Sequence, residues 1–190
     1  FERAVQADPG YAQAWYMLGK VASAREDDMH AAEAYAKAYG LDPGYAEAGF
    51  NYALALDRQG QEAKAIEVYR KLAALAPPHP EASYNLGLYE IKQKNLPSAI
   101  DAFRRALQTK PEYESARYNL GLALLRAEKF PDAGDEFEHV AKQNPKNFSA
   151  WFLCAFRFNK SFGNQNIFTL GVFLEFSKLS FNAHYLAFFI

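Results

Sequence analysis

Cysteine is almost absent from this 190-residue chain: Cys154 stands alone, which excludes an intramolecular disulfide framework and leaves too few thiolates for a zinc finger. Neither sign of charge is in excess. With 21 Lys+Arg against 22 Asp+Glu the formal net charge is -1, so the chain lacks the basic face with which a duplex nucleic-acid binder neutralises phosphates. Histidine is sparse. His30, His79, His139 and His184 are scattered, and none belongs to an HExxH pair or another close metal-ligand spacing. No phosphate-cradling GxxxxGK, no GxGxxG and no nucleophile elbow occurs. The sequence therefore points to no enzyme, no cofactor and no metal.

What is present is apolar enough to fold, with 50% hydrophobic residues. The averages conceal two unlike segments. Residues 1–150 hold 18 Lys+Arg and 21 Asp+Glu, whereas residues 151–190 hold only Arg157, Lys160, Glu175 and Lys178, together with 10 of the 16 Phe. The two segments call for separate readings.

The first segment is periodic. Pro9, Pro43, Pro77, Pro111 and Pro145 are each 34 residues apart. The same period carries Phe1, Tyr35, Tyr69, Phe103 and Phe137, and Ala31, Ala65, Ala99 and Ala133. It also carries the small residues Gly19, Ala53, Gly87, Gly121 and Ala155, each preceded by Leu18, Tyr52, Leu86, Leu120 or Cys154. That register makes Cys154 a packing residue rather than a nucleophile.

Stretches such as 12–24 and 31–39 are rich in Ala, Leu, Glu and Lys, with apolar residues at three and four spacing, and so predict two short antiparallel helices per repeat. The small residue of the first helix and the alanine of the second let two backbones approach, and the aromatic fills the space beside them. Proline follows the second helix, where it cannot continue it, and Gly40 suits a left-handed cap. Pro97 and Pro131 sit near the start of a second helix, where the missing amide proton costs nothing.

The first full repeat, with Trp15, Leu18, Gly19, Ala31, Tyr35, Ala38 and Pro43, resembles the tetratricopeptide repeat family over residues 1–158. The Trp15 site becomes Gly49, Ser83 and Arg117 before returning as Trp151, and the site where the family favours Tyr holds Ala22, Leu56, Glu90 and Leu124. The resemblance implies an all-α, right-handed solenoid of antiparallel helix pairs. It divides into a partial repeat 1–11, full repeats 12–45, 46–79, 80–113 and 114–147, and a first helix from 148, followed by an atypical Phe-rich tail 159–190. Phe1 falls in a second helix whose partner is missing, so the chain is expected to start inside a longer protein, with an apolar edge at its N-terminus.

In this family the first helices line a concave groove. There Asn51, Asn85 and Asn119 recur at 34 residues, and an amide offers both donor and acceptor to the backbone of an extended peptide. Each such bond nets about 0.5–1.5 kcal/mol. The alternative is that these amides bond only to adjacent helices or water. Beside them run Tyr16, Phe50, Tyr84, Tyr118 and Phe152, and one turn on Lys20, Leu54, Leu88, Leu122 and Phe156, a stripe that is either core or the wall of a groove for an apolar peptide. The clamp with which some members grip a C-terminal carboxylate is not matched: its sites fall on Tyr16 and Lys20, Asn51, Glu81 and Asn85, of which only Asn51 agrees. One repeat later, Phe50, Leu54, Asn85, Ser115 and Asn119 agree no better. Arg58, Lys92 and Arg126 read as solvated cations near helix C-termini, and Glu26, Asp27 and Asp28 as a helix start rather than a metal site.

The tail departs from the period: Ile167 and Gly171 replace the alanine and the aromatic. Alternation from Phe168 to Phe176 suits a strand, with a helix as the alternative. Residues 167–190 are long enough to span a membrane, but Glu175, Lys178, Asn182 and His184 interrupt them. An apolar cap, the start of another domain and sequence foreign to the parent protein all remain open. Asn147 and Asn159 begin glycosylation sequons, a short pattern with many chance matches.

The sequence thus predicts a non-catalytic scaffold with a protein or peptide partner, no nucleic acid and no membrane span, and self-association through exposed ends or the tail. The alternatives are the substrate-recognition arm of a larger enzyme, such as a glycosyltransferase resembling the O-linked N-acetylglucosamine transferases, and a structural assembly module. Compartment is left open, with the cytoplasm favoured.

Overall fold

A computed structural model of the chain describes residues 1–147, 149, 150, 153 and 154. Among the described residues all regular structure is helical. The elements are α1 (Glu2–Ala7), α2 (Ala12–Ala24), α3 (Asp28–Leu41), α4 (Ala46–Arg58), α5 (Glu62–Ala73), α6 (Pro80–Lys92), α7 (Leu96–Thr109), α8 (Glu114–Arg126) and α9 (Phe130–Gln143). The predicted strand or helix at 168–176, the membrane reading of 167–190, the sequon at Asn159 and the groove candidates Phe152 and Phe156 lie outside the described residues. No described helix is long and apolar enough to cross a membrane. The chain forms two compact units, Phe1–Ala116 and a second that begins at Arg117.

Within the first unit each helix packs on its neighbour in sequence, from α2 on α3 through to α6 on α7. The predicted pairing of a small residue with an aromatic is the reason they come so close. A Cβ added to Gly19 would lie 2.6 Å from the Tyr35 ring, and one added to Gly87 would lie 2.5 Å from Phe103. Tyr69 and Phe103 are completely buried, with Ala53, Ala65 and Ala99 beside them in the same register. The second unit repeats the device, with Gly121 against the buried Phe137 at 2.8 Å. Fully burying one such ring contributes roughly 1.5–3 kcal/mol, so these contacts, more than helix propensity, hold each hairpin shut.

The termini follow local chemistry. Asp27 caps α3 by accepting from the His30 N–H at 3.2 Å, and Asn95 caps α7 through the Ser98 N–H at 3.4 Å. Pro97 and Pro131 sit in the first turns of α7 and α9, as expected. Asp27 and Asp28 do mark a helix start. Gly40 does not cap α3. It lies inside the helix, which ends at Leu41 with an extended Asp42 as its cap. The left-handed residues instead fall in the tight turn inside each hairpin: Glu26 (φ 60°), Gly60 (73°), Lys94 (59°) and Glu128 (59°), again 34 apart. Each is followed by an N–H that reaches back five residues, as from Asp27 to the Ala22 carbonyl at 3.0 Å, which closes a Schellman turn.

Candidate functional site

The candidate residues of the first unit sit on the first helices α2, α4 and α6. Tyr16 on α2 is half-buried, its ring 5.7 Å from Tyr35 on one side and 4.8 Å from Tyr45 on the other. Phe50 on α4 stacks on His79 at 4.9 Å and leans on Tyr69 at 6.1 Å. Tyr84 on α6 lies between Phe103 at 5.9 Å and Tyr113 at 5.1 Å. Each ring is therefore wedged between the buried aromatic of its own hairpin and an aromatic residue just before the next first helix. Sequence reasoning passed over that second partner, although Tyr45, His79 and Tyr113 obey the same 34-residue spacing.

Asn51 and Asn85 are half-buried beside these rings. Asn51 donates an amide N–H to the Tyr16 hydroxyl at 3.3 Å, which ties α4 to α2. The residue one repeat after Tyr16 is Phe50, which has no hydroxyl, and Asn85 donates instead to the Tyr69 hydroxyl at 3.1 Å. Tyr69 in turn donates to Asp57 Oδ2 at 2.8 Å, and Tyr89 donates to Asp57 Oδ1. Burial first, then the hydrogen bond to Asp57, pushes both phenols well above the ordinary tyrosine range. They act as neutral donors at any physiological pH. Each amide retains its second N–H and its oxygen beyond the bond described here.

The remaining predicted positions differ in exposure. Lys20 is exposed, with its ammonium 5.8 Å from the Tyr16 ring. Leu54 is half-buried and Leu88 is exposed. In the second unit Tyr118, Asn119 and Leu122 on α8 are all half-buried, and Tyr118 packs edge-on to Phe137 at 5.6 Å and against the core cluster of Val140, Ala141 and Ala150.

Charge around the site is set by a few neighbours. Burial holds the His79 imidazole below its ordinary value, and its Nδ1 accepts from the Ala82 N–H at 3.3 Å as the cap of α6. Burial works to raise the Glu81 carboxyl, but the hydrogen bond and charge of Lys110, 3.1 Å away, lower it overall. Arg58 and Lys92 are exposed, and each also forms an ion pair. Arg58 pairs with Asp28 at 2.5 Å and Lys92 with Glu62 at 2.5 Å, each joining the end of one first helix to the start of the preceding second helix. The described residues hold no cluster of His, Cys, Asp or Glu suited to a metal ion.

Arrays of paired helices with a small residue set against an aromatic at a 34-residue period define the class. Tetratricopeptide repeat models match residues 1–46, 29–80, 53–114 and 90–155, and the chain belongs to the tetratricopeptide repeat family. No curated protein matches it. Among solved structures it is similar to YrrB, described as a TPR protein with an unusual peptide-binding site, at 18% identity and a TM-score of 0.72, over 90% of this chain and 87% of that one. A MamA protein is similar at 23% identity, with a TM-score of 0.69 over 85% and 87% of the two chains. The pilF protein of Pseudomonas aeruginosa is similar at 28% identity and a TM-score of 0.60, over 79% and 68%.

Proposed function

We propose that this chain is a non-catalytic scaffold that binds an extended peptide along its first helices, with Asn51, Asn85 and Asn119 meeting the peptide backbone. The observation that carries the reading is the placement of Asn51 and Asn85: half-buried, one repeat apart, each oriented by a tyrosine hydroxyl. An amide held in this way loses little freedom when a second partner arrives, so more of the new bond survives as affinity. The rings of Tyr16, Phe50, Tyr84 and Tyr118 and the side chains of Lys20, Leu54, Leu88 and Leu122 supply the flanking surface, which suits a peptide with apolar side chains. The peptide-binding site named for YrrB agrees with such a use of the fold.

The test is a peptide selected from a random library on the full chain, with its affinity then measured for Asn51→Ala/Asn85→Ala/Asn119→Ala. Three bonds at about 1 kcal/mol each predict a loss near 100-fold with helical content retained. Unchanged affinity in a folded triple variant contradicts the assignment.

A further inference from the structure

A cavity of about 440 Å³ opens between the second helices α5 and α7, floored by α6, and none of the three asparagines lines it. Its walls include Ala73, Leu86 and Ala102, its floor holds Glu90, and Arg70, Asp101 and Arg105 stand at its rim. One repeat earlier the equivalent positions are filled. Ala73 corresponds to Tyr39, Glu90 to Leu56 and Ala102 to Val68, and there Leu56 and Val68 are core residues with Tyr39 packed against them. Compared with that repeat, two smaller side chains and one carboxylate line the cleft.

Glu90 decides what the cleft accepts. Its side chain is 11% exposed, and a charge at that depth interacts far more strongly than one at the rim. Asn95 donates to one carboxylate oxygen at 2.9 Å and holds it in place. The other oxygen meets a single nitrogen of Arg70 at 3.2 Å, from a side chain that is 63% exposed. That contact is long for a charge-assisted bond, which normally lies at about 2.7–2.9 Å. Arg105 is committed elsewhere, to Asp101 at 2.8 Å and the Ala73 carbonyl at 3.3 Å. An anion entering the cleft would meet a carboxylate at its floor. A guanidinium would meet a carboxylate already shown to accept one, and its methylene stem would lie along Leu86 and Pro97.

We infer that the cleft is a second binding site, which receives an arginine side chain of a partner protein onto Glu90, with Arg70 as the resident guanidinium that the incoming one displaces. The site contains none of the three asparagines and stands or falls without them. The probe is N-acetyl-arginine amide, titrated into the full chain and followed by NMR at the Ser98 and Ala102 amides, with N-acetyl-glutamate amide as the opposite-charge probe. Arg70→Ala should strengthen binding of the arginine probe about threefold or more. Glu90→Gln, which preserves shape and the bond to Asn95, should weaken it at least tenfold. Ala73→Tyr, which restores the earlier repeat's bulk without altering charge, should abolish it. No binding of the arginine probe to Arg70→Ala, or binding indifferent to Glu90→Gln, overturns the proposal. So does binding of the glutamate probe that depends on Arg70.

Discussion

Two stretches of the first unit carry the same repeat to opposite ends. Around α3, α4 and α5 the outer wall is filled by Tyr39, Leu56 and Val68, whereas around α5, α6 and α7 the same positions hold Ala73, Glu90 and Ala102 and leave a cleft. The inner contacts barely differ: Tyr35, Tyr69 and Phe103 are all buried against a small residue of the first helix or its surroundings. The repeat thus separates what must be kept to close a hairpin from what is free to vary. Variation at the wall costs little stability as long as each buried charge finds partners, as Glu90 does in Arg70 and Asn95.

That contrast is broken most severely by exchanging the floors. Leu56→Glu puts a carboxylate where the residue matching Arg70 is Ala36, and urea unfolding should show a loss of about 3 kcal/mol or more. The reciprocal Glu90→Leu should be neutral or stabilising by about 1 kcal/mol or more. The inner contacts should be less forgiving of added bulk than the walls. Gly87→Ala sets a Cβ 2.5 Å from the Phe103 ring and should cost about 1–3 kcal/mol, with Phe103 displaced in NMR spectra.

A smaller effect is expected in the hairpin turns, where Gly60 is relaxed and Lys94 is strained at positive φ. Lys94→Gly should raise stability by about 0.5–1 kcal/mol, the left-handed penalty less glycine's extra unfolded-state entropy. The smallest concerns His79, which stacks on Phe50 and caps α6 beside the rings proposed to flank the peptide. Because burial lowers the folded-state value of His79, the unfolded chain takes up the proton more readily. Its contribution is full above the unfolded value of about 6.5 and is lost as pH falls through the folded value. Melting temperature should therefore drop on acidification below pH 6.5, and less so in His79→Asn, which keeps a capping side chain without a titrating ring.

The fold was legible because its constraints repeat. Gly19 with Tyr35 and Gly87 with Phe103 announce a hairpin by spacing alone, since bulk and its absence recur together. The hairpin turns were not. Three of their four left-handed residues are Glu or Lys, so the usual glycine signal was missing and Gly40 drew the assignment instead. Compensation between repeats was also hidden. Gly49 replaces the Trp15 site, and Tyr39, from the preceding helix, fills the space so that an added Cβ would lie 2.9 Å from its ring. Asn51 and Asn85 were visible as a pair, but their different partners, Tyr16 and Tyr69, depend on Phe50 lacking a hydroxyl and on a contact between helices.

The central claim is that the first-helix amides meet a peptide backbone. It is tested most directly by following the side-chain NH2 resonances of Asn51, Asn85 and Asn119 as a library-selected peptide is added to the full chain. The account predicts that all three shift together, saturate at one peptide per chain and slow their exchange with solvent. Saturating binding that leaves these three resonances unmoved would contradict it.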